Sequence, residues 1–280
     1  MFVVGRRMMW SLLLLPLCLI ACDHKEKPIV LPHSKGLPSE VLLVTDDAVG
    51  QSDVMDSLNV LTQQCLPEIM QPETMFRVLR VSQRNYTQRY ITMHTKLFVN
   101  INKSLSAPMM GISRDVEATP QTEVTVSAPS LNELRLFLSH HQQQVTDALL
   151  DGQLLVRMTD LRKHYNAHVA NEVRRHMGYS ICVPKNVCAV KKGKRFLWAG
   201  SNLQERDLNI VLYEFPWDGK LMDNAEQLVS KRDSVMKCNI PGEKEGQWMQ
   251  TSRVDGNALV MCRRRNFQGR DFVEMRGMWD

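Results

Sequence analysis

The chain has 280 residues, 44% hydrophobic and 23% charged, so a full hydrophobic core is available without staples and the composition excludes a disordered chain. Without residues 1–21, which hold Arg6 and Arg7 and no acid, 33 bases face 30 acids. That excess is too mild for a dedicated nucleic-acid binder, and no nucleic-acid partner is expected.

From Met8 to Ala21 the chain is apolar apart from Ser11 and follows Arg6 and Arg7, the basic and apolar regions of an export signal. As a helix these fourteen residues reach roughly 21 Å, against a hydrocarbon core of about 30 Å, and Pro16 interrupts them, so a permanent span is not expected. Leu19-Ile20-Ala21-Cys22 looks like a bacterial lipobox, in which a small residue precedes a cysteine whose thiol accepts a diacylglycerol. Cys18 fails the pattern because the bulky Leu17 precedes it. Acyl chains contribute about 0.8 kcal/mol per buried CH₂, so a modified Cys22 would anchor the chain to a membrane without a spanning helix. The expected organisation is a signal peptide at 1–21, a lipidated polar tether at 22–38, a first α+β domain at 39–165 and a second at 166–280. The body is expected to be soluble.

In chain order, the apolar run 40–45 predicts a buried strand ending at Asp46 and Asp47, and Val54, Leu58, Leu61 and Cys65 predict a helix over 52–65 behind a Ser52 cap. Strands are expected near 74–81, 95–101, 112–118 and 121–128, with a short helix around 83–91. Ser130 with Glu133 opens a long helix whose Leu131, Leu134, Leu138, His141, Val145, Ala148 and Leu149 share a face, with a kink expected at Asp151-Gly152. A helix over 167–177 stops at Gly178, a left-handed cap. Strands follow at 179–184, 187–192, 195–200 and 208–215, then a helix opened by Asp223 and Glu226, then strands near 247–253, 257–265 and 270–278. The fold class is α+β, two tandem layers of mostly antiparallel sheet packed with helices.

Chemistry-bearing patterns are sparse. His164, His168 and Glu172 fall at i, i+4 and i+8, but without the glutamate of H-E-x-x-H they read as helix surface, and no metal or cofactor is expected. Asp46, Asp47, Asp53 and Asp56 resemble an acidic cation corner but read as solvated loop residues. Cys182 and Cys188 would face each other across a short hairpin, and a bridge there would contribute about 2 kcal/mol; five cysteines remain beside Cys22, so at least one thiol stays free or pairs between chains. Trp198, Trp217, Trp248 and Trp279 all lie in the second half and read as core or interlayer residues, with stacking on sugars as the alternative. The basic runs Lys191, Lys192, Lys194, Arg195 and Arg263, Arg264, Arg265 read as solvated faces, with contact to an anionic envelope surface as the alternative. Asp56-Ser57-Leu58 and Asp233-Ser234-Val235 look like a short O-glycosylation signal of some envelope bacteria. There is no G-x-S-x-G, G-x-G-x-x-G, P-loop or C-x-x-C-H, and no residue is assigned as catalytic.

Several stretches carry a resemblance: Leu31-Pro-His-Ser-Lys-Gly36 leading into residues 39–47, Tyr179-Ser-Ile-Cys-Val-Pro184, Arg195-Phe-Leu-Trp-Ala199, residues 228–235 and residues 269–279. Together they resemble an uncharacterised lipoprotein family, a domain of unknown function of Bacteroidetes-type bacteria, over nearly the whole mature chain. The resemblance implies an envelope location and a lipid anchor and brings no activity with it. The expectation is a cell-envelope lipoprotein anchored through its acyl chains, at the outer membrane or periplasmic face, whose body binds an envelope protein or glycan. The alternative is an envelope hydrolase with a dispersed site, such as a Ser or Cys beside His164 or His168.

Overall fold

A computed structural model describes residues 30–65, 72–201, 207–216, 224–242, 244–267 and 269–279. The signal peptide, Cys22, Asp223 and Trp217 lie outside the described residues. The first half is built on a five-stranded sheet, β1 (Glu40–Thr45), β2 (Arg77–Ser82), β3 (Thr95–Ile101), β4 (Met109–Arg114) and β5 (Thr122–Ala128), in the order β2-β1-β3-β5-β4. The four strands from β2 to β5 run parallel and β4 is an antiparallel edge. A parallel central strand is buried on both faces, which is why EVLLVT reads as an unbroken apolar run.

Alternation along β3 and β5 sends Leu97, Val99, Val124, Val126 and Ala128 to one face. There they meet α1 (Asp47–Gly50), α2 (Val54–Thr62) and the long α4 (Leu131–Lys163) through Val49, Leu58, Leu61, Leu134, Leu138, Val145 and Leu149. Full burial of such a side chain contributes roughly 1.5–3 kcal/mol, so this face is the main source of stability. On the opposite face Leu42, Val44, Val81 and Met93 pack with Tyr86, Tyr90 and Phe98, under a chain segment that holds a 3-10 turn at 83–85 and α3 (Gln88–Ile91).

Several local readings change: the strand expected near 112–118 lies at Met109–Arg114, the one near 247–253 is reduced to Arg253–Val254, and three others bear on the packing. The long helix departs from helical geometry at His141 (φ −116°, ψ 17°), where the ring Nδ1 donates to the Phe137 carbonyl, 3.0 Å away, and the ring stacks on that of Phe137. It runs straight through Asp151-Gly152. Gly152 is a contact residue: a Cβ there would lie 2.9 Å from the Thr122 Cβ, so the missing side chain lets α4 approach β5. Second, residues 32–38, read as the end of the tether, are bound into the body. Lys35 N–H donates to Thr92 O at 2.7 Å, His94 N–H to Lys35 O at 3.0 Å, Ser34 N–H to Thr119 O at 3.1 Å and Thr119 N–H to Pro32 O at 2.9 Å. Third, residues 179–188 form no strand: they fold through a turn in which Val187 N–H donates to Pro184 O, and bury Val183 and Val187 in between.

The second half holds α5 (Ala167–Met177), ended by Gly178 at φ 77°, and an antiparallel sheet of β6 (Ala189–Gly193), β7 (Phe196–Gly200) and β8 (Asn209–Tyr213). Val169, Val173, Met177, Val183, Val187, Leu197 and Ala199 form its core. α6 (Ala225–Asn239) follows, opened by the Asn224 side chain accepting from Gln227 N–H at 3.0 Å. The short pair β9 (Arg253–Val254) and β10 (Asn257–Ala258) precedes an antiparallel hairpin, β11 (Val260–Phe267) and β12 (Arg270–Gly277). The α+β class holds, with antiparallel sheets throughout this half and the mixed sheet in the first. Residues 31–280 cluster as one compact unit that contains all three apolar clusters.

Candidate functional site

The largest side chain in the interior is a cation. Lys96, second in β3, points away from the helix-covered core, and the parallel register places it opposite Glu123 of β5. Its ammonium is fully enclosed and donates to Glu123 Oε1 at 2.9 Å, Glu117 Oε2 at 2.7 Å and the Tyr86 hydroxyl at 2.7 Å. The Tyr86 hydroxyl in turn donates to Glu117 Oε2 at 2.8 Å, and its ring packs edge-on against Phe98. Burial would raise the Glu117 carboxyl, yet hydrogen bonds from Lys96 and Tyr86 outweigh it and hold the group below the usual carboxylate range. Tyr86 moves the other way, pushed up by burial and then by the Glu117 carboxylate that its proton serves.

Around this cluster, Gln121 receives Glu117 N–H on its side-chain oxygen at 3.0 Å and donates its amide to the carbonyls of Ile91 and Met93. His94 Nε2 lies 3.2 Å from Leu37 O and its Nδ1 3.1 Å from Thr95 Oγ1. A carbonyl only accepts, so Nε2 carries the proton; burial lowers the pKa of this ring, which keeps it neutral. All three ammonium protons of Lys96 are spent on partners within the chain. The network ties the 83–94 segment, the 115–121 strap and residues 32–38 to the far face of the sheet.

The carboxyl edge of the parallel strands is where sheets of this kind place ligands, at the point where the strand order reverses between β1 and β3. Asp46 stands there, but one oxygen accepts Val49 N–H at 2.8 Å and the other Ile101 N–H at 2.7 Å. Asp47 pairs with Arg84, and Asp53, at the start of α2, lies 3.5 Å from Arg135. The acidic corner is thus divided among caps and ion pairs. His164 and His168 fall on different helices: His164 ends α4 with its Nδ1 2.9 Å from Asp160, while Asn166 caps α5 through His168 and Val169 N–H. Glu172 pairs with Arg175 and Lys192. Among the described residues no group of three or more His, Cys, Asp and Glu side chains is arranged to hold a metal ion, and no Ser or Cys hydrogen-bonds to His164 or His168.

Cys182 and Cys188 are both exposed free thiols, as are Cys65, Cys238 and Cys262. The second-half aromatics are used as platforms. Arg232 lies over Trp279 at 4.0 Å, Lys237 over Trp248 at 4.1 Å and Lys231 over Phe215 at 5.4 Å, while Trp198 Nε1 donates to Asn209 Oδ1. Trp248 also borders an open surface hollow of about 500 Å³ formed with Gly242 and Gln247. The serines of the two Asp-Ser-aliphatic motifs lie inside α2 and α6, and Asp233 is engaged by Thr251 N–H and Oγ1. No helix among the described residues is long and apolar enough to cross a membrane.

None of Lys96, Glu117, Glu123, Tyr86, His94 or Gln121 stands out in the sequence. The available signal is the match of Thr95-Lys96-Leu97 with Thr122-Glu123-Val124, opposite charges at the same position of two strands, which becomes visible once their parallel pairing is known.

Residues 34–160 match a domain of unknown function, DUF8532, and residues 166–280 match a second, DUF4837. The chain is therefore built of two uncharacterised domains. Comparison with curated proteins and with solved structures gives no match.

Proposed function

We propose that the protein is a cell-envelope lipoprotein, anchored to a membrane by acyl chains on Cys22, whose body binds an envelope protein or glycan rather than catalysing a reaction. Leu19-Ile20-Ala21-Cys22 after a short basic and apolar leader carries the anchor reading. The docking of residues 32–38 on the sheet supports it. Only nine residues lie between Cys22 and Pro32, ten chain steps with a reach of at most about 36 Å when fully extended, so a lipidated Cys22 would keep the body close to the bilayer. The binding reading is supported by the use of the interior charges: Lys96, Glu117 and Asp46 are committed to contacts that hold segments in place. Mass spectrometry of the membrane-extracted N-terminus tests the anchor against a Cys22→Ala control. The expected result is a diacylglyceryl cysteine at the mature N-terminus in the wild type and loss from the membrane fraction in the variant. An unmodified, soluble wild-type chain overturns the reading.

A further inference from the structure

The two basic runs have different fates. Arg263 and Arg265 on β11 face α4, where Arg263 lies 3.4 Å from Asp147 and Arg265 lies 3.1 Å from Asp151 and 3.5 Å from Glu274. The second run gathers more cations and offers fewer partners. Between Val173 and Phe196 the chain has seven Lys and Arg residues and no acid. The fold draws the ends of this stretch together: His176 Nε2 donates to Gly193 O at 2.8 Å, with Phe196 O at 3.1 Å, which seats the last turn of α5 on the β6–β7 turn. Arg175 and Lys192 share the single carboxylate of Glu172, and their side chains remain 68% and 44% exposed. Lys194 and Arg195 form the turn itself, are exposed, and have no ion pair among the described residues. The other nearby acid, Glu214, follows β8; its N–H donates to Arg195 O and its carboxylate takes the Tyr179 hydroxyl at 2.6 Å.

This corner also lies in the basic half of the chain. Residues 34–160 hold 10 bases and 14 acids, whereas residues 166–280 hold 19 bases and 14 acids. Four exposed cations around one turn, sharing one carboxylate and two of them without an ion pair among the described residues, suit a planar array of phosphates better than a single anion, which needs a concave cradle. A tethered chain meets such an array at the surface of the bilayer, and a basic patch added to an acyl anchor is the two-signal arrangement that makes attachment stable.

We propose that Arg175, Lys192, Lys194 and Arg195 form a docking surface for the phosphate headgroups of an anionic membrane. The setting rests on the anchor reading, but the contact is a property of the body and is tested without the anchor. Residues 31–280, the compact unit that holds every apolar cluster, are mixed with phosphatidylcholine vesicles and with vesicles containing phosphatidylglycerol, and the bound fraction is read by sedimentation. Binding to the anionic vesicles, weakened by salt, and a drop of about tenfold or more in the Lys194→Glu/Arg195→Glu variant are expected. Arg135→Glu on α4 should bind as the wild type does. Both positions of the double variant are exposed, and an unchanged circular dichroism spectrum and melting midpoint confirm that it folds. Equal binding to the two vesicle types, or an unaltered double variant, overturns the proposal. So does full competition by inorganic phosphate at constant ionic strength, which identifies a free-anion site, or tighter binding to duplex DNA than to vesicles. Unmodified Cys22 together with binding of the body to anionic vesicles would sink the anchor reading alone.

Discussion

The two halves of the chain handle charge and core in opposite ways. In the first, a mixed sheet is covered on both faces, and one cluster gathers seventeen buried apolar residues. Its central cation, Lys96, is sealed inside and answered by two carboxylates and a phenol. In the second half a three-stranded sheet has a core of seven buried residues, and Lys231, Arg232 and Lys237 rest on aromatic faces. A sheet covered on both faces has room for an ionic cluster deep enough to fix three segments. In the second half the charged groups themselves lie over aromatic rings, and Arg232, whose side chain is 17% exposed, also pairs with Asp233, so these cations are answered by ring faces around a smaller core.

The sharpest break of this contrast is Lys96→Ala. It strips one tyrosine and two carboxylates of their shared donor and leaves the mostly buried Glu123 and the partly exposed Glu117 without their cation, so a loss of about 3 kcal/mol is expected in urea unfolding. Adding Glu117→Gln and Glu123→Gln to Lys96→Met should recover most of that loss, because the interior then holds no unpaired ion. The acid limb gives a second readout. The Glu117 carboxyl is lower in the fold than in the unfolded chain, so its contribution is present above a pH of about 4.3 and is lost as pH falls through the depressed folded value. Without Lys96 the main source of that depression is gone, and the limb should flatten.

Truncation of the two cores has effects of similar size. Leu97 and Leu197 are both fully buried, but Leu97 sits within the seventeen-residue cluster, whereas the neighbours of Leu197 include the half-buried Val190, Ile210 and Leu212. The first site has less freedom to collapse or hydrate. Leu97→Ala should cost about 4 kcal/mol and Leu197→Ala about 2 kcal/mol by chemical denaturation. Equal costs would show the second core to be as tightly built as the first.

Gly152→Ala follows at about 1–3 kcal/mol, because the added methyl meets Thr122 and α4 must move off β5. At Gly111, on the edge strand β4, nothing lies within 4 Å of the added atom, so Gly111→Ala should stay within about 0.5 kcal/mol of the wild type. A smaller effect is expected at the latch on residues 32–38. Burial keeps His94 neutral, so its contribution is present above a pH of about 6.5 and fades as pH drops towards the lowered folded value. The protection factor of the Lys35 amide, which donates to Thr92 O, should fall over that range and should not change with pH in His94→Gln.

What could be read from sequence follows how local the cause is. The bounds of β1 and β3, the Ser130 cap and the Gly178 stop depend on residues a few positions apart, and they emerge where expected. Parallel pairing depends on strands tens of residues apart, so the Lys96–Glu123 contact stayed hidden although each strand was plain. Gly152 differs from its expected role for the same reason: a glycine inside a helix signals weakness locally, but here the cause is Thr122, thirty residues away. The helix bends instead at His141, whose ring competes for the Phe137 carbonyl. The segment at 179–188 has the apolar alternation of a strand, but its valines fill the core below α5.

A salt-dependent effect tests whether the β11–β12 hairpin depends on the first half for its stability. Arg263 and Arg265 reach Asp147 and Asp151 of α4 at 3.1–3.4 Å, with guanidinium side chains 26–30% exposed. Such partly solvated pairs are screened by salt and contribute at most about 1 kcal/mol each, since two long side chains must be ordered to make them. The register from Val260↔Gly277 to Phe267↔Arg270 holds the hairpin by its own backbone ladder. Arg263→Ala/Arg265→Ala should therefore lower global stability by no more than about 2 kcal/mol while hydrogen exchange in β11 and β12 accelerates locally, and added salt should shrink the difference from the wild type. A loss above about 3 kcal/mol that salt leaves untouched would mean that the hairpin borrows its stability from α4, and that the two halves are less independent in their energetics than their separate cores imply.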